Sequence, residues 1–253
     1  MTAVLANWQS SKRVLLVVAA PAEWRAVVAG LRAVAPGTPP APTPAASVAG
    51  KWATHPINDR FDCLLCGIGK VNAAAATALA LSPHPYAAVL SLGIAGMLRA
   101  IEVGEARRAD FDALPLTSSL LATSSIYADE GLDSPTGFVS CSDLGFPLGP
   151  FEGNAIPAHP ALLELLRPLA DRLGPIATVS TCSGTDALAR QVCARTGALA
   201  EAMEGAAIAH ICARLNVPFA EIRTISNTTG NRQQQRWDLP GALARLTRLA
   251  ASL

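Results

Sequence analysis

The sequence predicts an α/β fold, a single three-layer domain in which helices flank a twisted, mostly parallel central sheet. Short apolar runs that end in glycine or polar residues alternate with longer stretches rich in Ala and Leu. The chain has 253 residues, 51% of them hydrophobic, which is enough to bury one large core. Because no linker or internal repeat divides it, we expect one domain over residues 1–253.

The elements follow in order from the apolar runs and their periodicity. The predicted strands are Val14–Ala20, Phe61–Cys66, Ala87–Leu92, Ile176–Thr181 and Phe219–Ser226. The predicted helices are Glu23–Val34, Val71–Leu81, Pro160–Leu173, Glu201–Leu215 and Pro240–Leu253. Residues 35–50 contain five prolines, which predicts an exposed, extended loop. Glycine turns are expected at Gly67–Lys70 and Gly93–Gly96.

Composition excludes several classes of protein. The formal net charge of +1 leaves no basic surface for nucleic acid, and no apolar run reaches the roughly 18 residues that a membrane span needs. Lys12 and Arg13 before Val14–Ala20 resemble the start of a signal peptide, but the short, β-branched run favours a buried strand. The pattern Cys63–Cys66 lies inside another apolar run, and the four histidines lack metal-ligand spacing. We expect a cytoplasmic protein without a metal.

Three polar side chains stand where ligands of open α/β sheets bind, near the carboxyl ends of strands. Glu23 follows the first strand, and Asn227 follows the last. Glu204 lies among core-forming residues, so its carboxylate must be desolvated or bound to a partner. Two structural alternatives stay open: Glu204 could pair with Arg223, and Glu23 could be a first-turn helix residue favoured by the helix dipole.

The glycine turns add weak signals. Gly67–Lys70 lacks the spacing and the Ser/Thr of a P-loop, and Asn72 stands where a dinucleotide fingerprint has its third glycine. At Gly93 and Gly96 the missing side chains would let a ligand approach the backbone.

Four segments in this order resemble the nucleoside phosphorylase/nucleosidase superfamily: Gly67–Ala74, Gly93–Gly96, Met203–Ala207 and Ile222–Asn227. Further segments are similar to the futalosine hydrolase family within it: Tyr127–Gly131, Pro135–Phe138, Leu144–Leu148, Gly230–Arg232 and Trp237–Asp238. The resemblance implies a nucleoside phosphorylase-like fold and hydrolysis of a purine nucleoside, futalosine, without a cofactor. It also implies a homo-oligomer, to which the segment 127–148 could contribute by crossing over.

The resemblance further implies roles for individual residues. Glu23 would position and deprotonate the attacking water, and Asn227 would bind O6 and N7 of the departing hypoxanthine. Glu204 would accept hydrogen bonds from the ribose hydroxyls, with Met203 packed on the sugar. Arg223 would orient either Glu204 or the strand end. The pocket lining would come from the backbone of Ala95, Gly96, Thr181 and Cys182.

Departures from the superfamily pattern leave alternatives. Related nucleosidases that cleave methylthioadenosine or adenosylhomocysteine carry Asp where this chain has Asn227, and an amide that both donates and accepts suits a 6-oxopurine. Phosphorylases place an Arg shortly before the second glycine turn, where this chain has Ser91, although Arg25 could serve. A nucleoside-binding protein without turnover is the non-enzymatic alternative. Residues 106–118 resemble a local insertion.

Overall fold

The structure is a computed structural model and describes residues 4–5, 8, 12–34, 52–82, 86–98 and 114–253. The predicted proline-rich loop 35–50 lies outside the described residues. Residues 106–113 of the predicted insertion also lie outside them. Residues 114–118 form a turn that leads into a strand.

The described part of the chain forms eleven strands and six α-helices. The strands are β1 (Val14–Val18), β2 (Thr54–Pro56), β3 (Phe61–Leu65), β4 (Ala88–Met97), β5 (Ser119–Tyr127), β6 (Gly131–Ser134), β7 (Gly137–Ser140), β8 (Ala155–Pro157), β9 (Arg172–Thr178), β10 (Ala200–Ala202) and β11 (Phe219–Thr228). The helices are α1 (Pro21–Ala33), α2 (Lys70–Leu81), α3 (Pro160–Leu166), α4 (Asp186–Thr196), α5 (Gly205–Leu215) and α6 (Leu239–Ala250).

Nine strands build one mixed sheet in the order β10-β9-β5-β11-β4-β1-β3-β2, with β8 paired to β5. The central pairs β1–β3, β1–β4 and β4–β11 are parallel. Strand β5 joins β11 in the antiparallel direction, and β10 pairs with both β9 and β4. Strands β4, β11, β5, β9 and β10 therefore close into a ring, and β6 and β7 form a separate hairpin.

Helices cover both faces of the central strands. On one face, α1, α3 and α6 pack against alternate residues of β1, such as Val14 and Leu16. On the other face, α2 and α5 pack against Leu15 and Val17. A strand that is buried on both faces is apolar throughout rather than alternating. The predicted three-layer α/β fold class is confirmed, with parallel strands at the centre of a sheet that is mixed as a whole.

Two predicted boundaries near the site are wrong. Strand β4 continues through Gly93–Gly96, where a turn was expected, because β11 and β10 pair with these residues from either side. The predicted helix Glu201–Leu215 begins instead at Gly205, because its first residues form strand β10. Glu204 is therefore the residue that caps the helix and not a residue of its interior. The helix predicted over Pro160–Leu173 also ends early, in a short 3₁₀ turn after Leu166.

Candidate active site

Glu23 lies in the first turn of α1, immediately after β1, and is 3% exposed. Its Oε2 accepts hydrogen bonds from the backbone N–H groups of Ala19 (3.0 Å) and Ala20 (2.9 Å), as expected of an acid at a helix start. Its Oε1 accepts a third from Ile94 on β4, at 2.9 Å. A carboxylate offers about four acceptor positions, so Glu23 is held rigidly and keeps room for one further donor.

Glu204 precedes α5 and is 4% exposed. Its Oε1 accepts the backbone N–H of Gly69 at 3.0 Å, and its Oε2 accepts that of Met203 at 3.3 Å. Gly67 and Gly69 both have φ near +90°, which only glycine adopts readily, so the first glycine turn serves to present an N–H to this carboxylate. Burial raises the pKa of Glu204, and the nearby Arg223 opposes that rise.

Arg223 is the positively charged residue beside these carboxylates and is 1% exposed. Its Nη2 lies 3.5 Å from Oε2 of Glu204 and donates to Oγ of Ser91 at 3.0 Å, while its Nε donates to Oε1 of Glu221 at 2.8 Å. Burial alone would lower the pKa of Arg223, but the carboxylates of Glu221, Glu204 and Glu23 raise it above its ordinary value. The guanidinium is therefore permanently charged.

Gly93 is the point on β4 where Glu23 and Arg223 meet. A Cβ atom at this position would collide with Oε1 of Glu23 and would lie 2.5 Å from Nη1 of Arg223. The absence of a side chain lets the carboxylate and the guanidinium approach the strand from the neighbouring α1 and β11. We call Glu23 and Arg223, which meet at Gly93, together with Glu204 beside Arg223, the carboxylate centre.

Asn227 lies at a bulge in β11. The register with β4 shifts between Ile225 and Asn227, and Asn227 then pairs with Gly96; such bulges re-aim a side chain. Its Oδ1 accepts from Oγ of Ser226 at 2.8 Å, and its Nδ2 donates to the carbonyl of Thr228 at 3.0 Å. An amide has two N–H donors and two lone pairs, so Asn227 retains one donor and one acceptor for a ligand.

The loop that follows β9 is fastened by a buried acid. Ser183 donates from its backbone N–H (2.7 Å) and its Oγ (2.6 Å) to the carboxylate of Glu201, which is 5% exposed. Burial raises the pKa of Glu201, and these two hydrogen bonds oppose the rise. Thr181 and Cys182 are exposed on this loop. Partial desolvation of the Cys182 sulfur, then the charges of Glu201 and Glu204, raise the pKa of its thiol. We call residues 180–183 the fastened loop.

Gly96 connects Asn227 with the fastened loop. A Cβ atom at Gly96 would lie 3.2 Å from Nδ2 of Asn227 and 3.7 Å from Cγ of Glu201. The neighbouring Ala95 is buried, and its carbonyl accepts from Ser226 Oγ at 3.3 Å. The structure therefore groups the predicted residues into two neighbouring sets along β4, one at Gly93 and one at Gly96. Half-buried Met203 adjoins the first set through Glu204.

The sequence analysis assigned nothing to Glu201, Glu221 or Lys70. Glu201 and Glu221 were detectable as acids inside apolar runs. Lys70 pairs with Asp129 and, at 2.9 Å, with Glu130, and Asp129 accepts the backbone N–H of Ser180 at 2.6 Å. The first glycine turn is thereby tied to both the 127–131 segment and the fastened loop.

Within the described ranges, no group of three His, Cys, Asp or Glu side chains has the arrangement of a metal site. No helix that the structure describes is long and apolar enough to cross a membrane. Cys63 lies in β3 and Cys66 directly after it, and both side chains are buried.

Comparison with known proteins places this geometry in a family. The model of the phosphorylase superfamily matches residues 14–253. A solved structure of 5′-methylthioadenosine/S-adenosylhomocysteine nucleosidase from Neisseria meningitidis, in complex with methylthio-immucillin-A, superposes with a TM-score of 0.71. The two sequences are 21% identical, and the superposition covers 95% of this chain and 97% of the nucleosidase chain. The two proteins therefore share a fold.

Two relatives are more similar in sequence. A futalosine hydrolase from Acidothermus cellulolyticus is 36% identical over 246 residues, 94% of this chain and 89% of the relative. A futalosine hydrolase from Streptomyces coelicolor is 36% identical over 213 residues, 81% of this chain and 84% of the relative. The chain belongs to the phosphorylase superfamily and, within it, to the futalosine hydrolase family. The resemblance predicted from the sequence is confirmed.

Proposed function

We propose that this protein hydrolyses the N-glycosidic bond of futalosine, releasing hypoxanthine and dehypoxanthine futalosine as a cytoplasmic step of menaquinone biosynthesis. The observation that carries the proposal is that two buried carboxylates lie beside the guanidinium of Arg223: Glu23 meets it at Gly93 of β4, and Oε2 of Glu204 is 3.5 Å from its Nη2. The sequence identity to futalosine hydrolases over 94% of the chain supports the choice of substrate.

Cleavage of this bond places positive charge on the ribose and negative charge on the departing purine, so the protein must stabilise both ends in the transition state. Glu23 positions the attacking water and takes its proton. Three backbone N–H groups hold this carboxylate in place, which leaves its free acceptor position for the water. The same contacts suit the structural role of Glu23 at the helix start, so one side chain serves both.

Glu204 accepts hydrogen bonds from the ribose hydroxyls, which strengthen as the sugar becomes cationic. Arg223 lies on the far side of Glu204, 3.5 Å away, and keeps it oriented. Met203 packs on the sugar. In this arrangement Arg223 is a positioning residue, since its Nε donates to Glu221 and its Nη2 donates to Ser91.

Asn227 binds the leaving base. Its free N–H can donate to O6 or N7 of hypoxanthine, both of which accept hydrogen bonds. The backbone of Ala95 and Gly96 lines one side of the base and Thr181 and Cys182 the other. Ser91 stands where phosphorylases carry an arginine, and its hydroxyl is taken by Arg223; Arg25 is exposed on α1. Both observations favour water over phosphate as the acceptor.

We also propose a homo-oligomer in which residues 127–148 cross to a second copy. This segment carries three large apolar side chains that are exposed. Phe146 is 71% exposed, Leu132 is 51% exposed and Leu144 is 40% exposed. Sedimentation of the wild type and of Phe146→Ser tests this assembly: the variant is expected to dissociate at concentrations where the wild type does not.

The function is tested by incubation with futalosine, inosine and methylthioadenosine, with and without phosphate, following the free base by chromatography. We expect hypoxanthine from futalosine at a rate that phosphate does not change. Release of sugar phosphate would instead identify a phosphorylase, and preferential release of adenine a methylthioadenosine nucleosidase. Binding of nucleosides without turnover would identify a binding protein.

A further inference from the structure

Glu221 is a carboxylate for which the mechanism above has no use. It lies inside β11, is 0% exposed, and accepts from Nε of Arg223 at 2.8 Å and from Oγ of Ser125 on β5. Gly205 at the start of α5 packs on it so closely that a Cβ there would collide with both carboxylate oxygens. A buried acid in this position must be neutral or compensated, and Arg223 is the cation beside it.

The charges around Arg223 do not balance one to one. The titratable groups packed together here are Glu23 from α1, Cys66 after β3, Glu204 before α5, and Glu221 and Arg223 on β11. Burial, then Glu204 and Glu23, raise the pKa of the Cys66 thiol, which therefore stays uncharged. Three carboxylates consequently share one guanidinium.

The shape of the guanidinium determines how it is shared. Its donors form a rigid planar fork. Because Glu221 holds the Nε edge, Nη1 is directed at Gly93 beside Glu23, and Nη2 at Glu204 and Ser91. Without an acceptor at Nε the fork would be free to rotate about its stem.

We propose that Glu221 is a positioning residue for glycosidic hydrolysis: it anchors Arg223 through Nε so that its two Nη groups stand between Glu23 and Glu204, and it limits the positive charge that these two carboxylates receive. The inference rests on the proposed function, which assigns both carboxylates to the reaction. Burial first, and then the charges of Glu23 and Glu221, raise the pKa of Glu204 against the opposing effect of Arg223. Removing the charge of Glu221 therefore lowers the pKa of Glu204.

Glu221→Gln tests this, because the amide keeps the length of the side chain and an oxygen for Arg223. The acid limb of kcat/KM reports essential groups of the free enzyme that must be deprotonated, so it is expected to move to lower pH, with less than about a tenfold change on the plateau. Asp62→Asn is the matched control, since Asp62 is also buried and paired with an arginine, Arg13, but away from the carboxylate centre. Its acid limb should stay in place. An acid limb that does not move in Glu221→Gln overturns the proposal.

A second measurement is independent of the substrate. In protein labelled with ¹³C at the glutamate carboxyls, the Glu204 signal, assigned through Glu204→Gln, should titrate at lower pH in Glu221→Gln than in the wild type. This result supports the proposal even if futalosine is not the substrate, and an unchanged titration overturns it. Should Glu221→Gln not fold, Glu221→Asp replaces it in the kinetic test. The shorter acid keeps the charge but draws Arg223 back, so kcat/KM should fall about tenfold; an unchanged value overturns the proposal.

Discussion

The two ends of the site are built differently. At Gly93, the carboxylate centre consists of side chains that are almost fully buried, each held by several hydrogen bonds or ion pairs. At Gly96, Asn227 is half-buried. The fastened loop carries three exposed residues, Ser180, Thr181 and Cys182, and is attached through Ser183 to Glu201. The comparison indicates that the proposed bond-breaking end is fixed by buried charged groups, whereas the proposed base-binding end is held by the hydrogen bonds of Asn227 and by the attachment of Ser183 to Glu201.

The largest expected effect is at the buried end. Glu23→Gln should retain nucleoside binding but lower turnover by about 10²–10⁴-fold, because an amide cannot take a proton from water. The amide N–H₂ would also face backbone donors that now bind Glu23, which costs roughly 1–3 kcal/mol of stability. Single-turnover kinetics and a thermal melt measure the two effects. Glu164→Gln, on the exposed side of α3, is the control. Near-wild-type turnover in Glu23→Gln would leave Glu23 only its role at the helix start.

Glu204→Gln should lower turnover by roughly 10²-fold while affecting ground-state binding less, since the ribose contacts strengthen in the transition state. Breaking an isolated buried ion pair costs ~3–5 kcal/mol, but Arg223 keeps Glu221 as a partner at 2.8 Å, so the stability loss should be smaller. A melt beside the kinetics checks this. A collapsed melt with retained turnover per folded molecule would make the Glu204–Arg223 pair structural.

At the base-binding end, Asn227→Asp should reduce kcat/KM on futalosine about tenfold or more, because an ionised carboxylate would face acceptors of the purine. A protonated Asp can donate to N7, so cleavage of methylthioadenosine should appear and increase as the pH is lowered. The ratio of kcat/KM for the two nucleosides, in both proteins, measures the change. If that ratio does not move, Asn227 does not select the base.

The smallest effect is expected in the fastened loop. Ser183→Ala removes one of the two hydrogen bonds to Glu201 and leaves the backbone bond, a loss of about 1 kcal/mol. KM for futalosine should rise a few-fold with kcat unchanged. Ser252→Ala, which loses an exposed hydrogen bond near the end of α6, should change neither constant. A fall in kcat instead of a rise in KM in Ser183→Ala would show that the loop also acts on the carboxylate centre.

Local patterns were sufficient for much of this architecture. The apolar run of β1 followed by an acid placed Glu23 beside a strand end, and the run of β11 placed Asn227 at its polar end. Two strands that were not predicted from the sequence, β5 and β10, have no such local signature. Strand β5 mixes Ser and Thr with its apolar residues, and β10 has only three residues. They are strands because of the partners beside them, β9, β11 and β4.

By itself, the sequence determined the α/β class, the strands and helices that pack around β1, and the identity of the acids and the amide at strand ends, because hydrophobic periodicity and turn residues act over short stretches of chain. Only the tertiary structure decided which of these groups meet. The groups that meet are far apart in the chain: Glu23, Gly93, Glu204 and Arg223. The pairing of β4 with β11 places Arg223 beside Gly93. A hydrogen bond from Ile94 of β4 holds Glu23, and an ion pair joins Glu204 to Arg223. Glu221 gains its importance in the same way, since its charge is visible in the sequence but its partners are not.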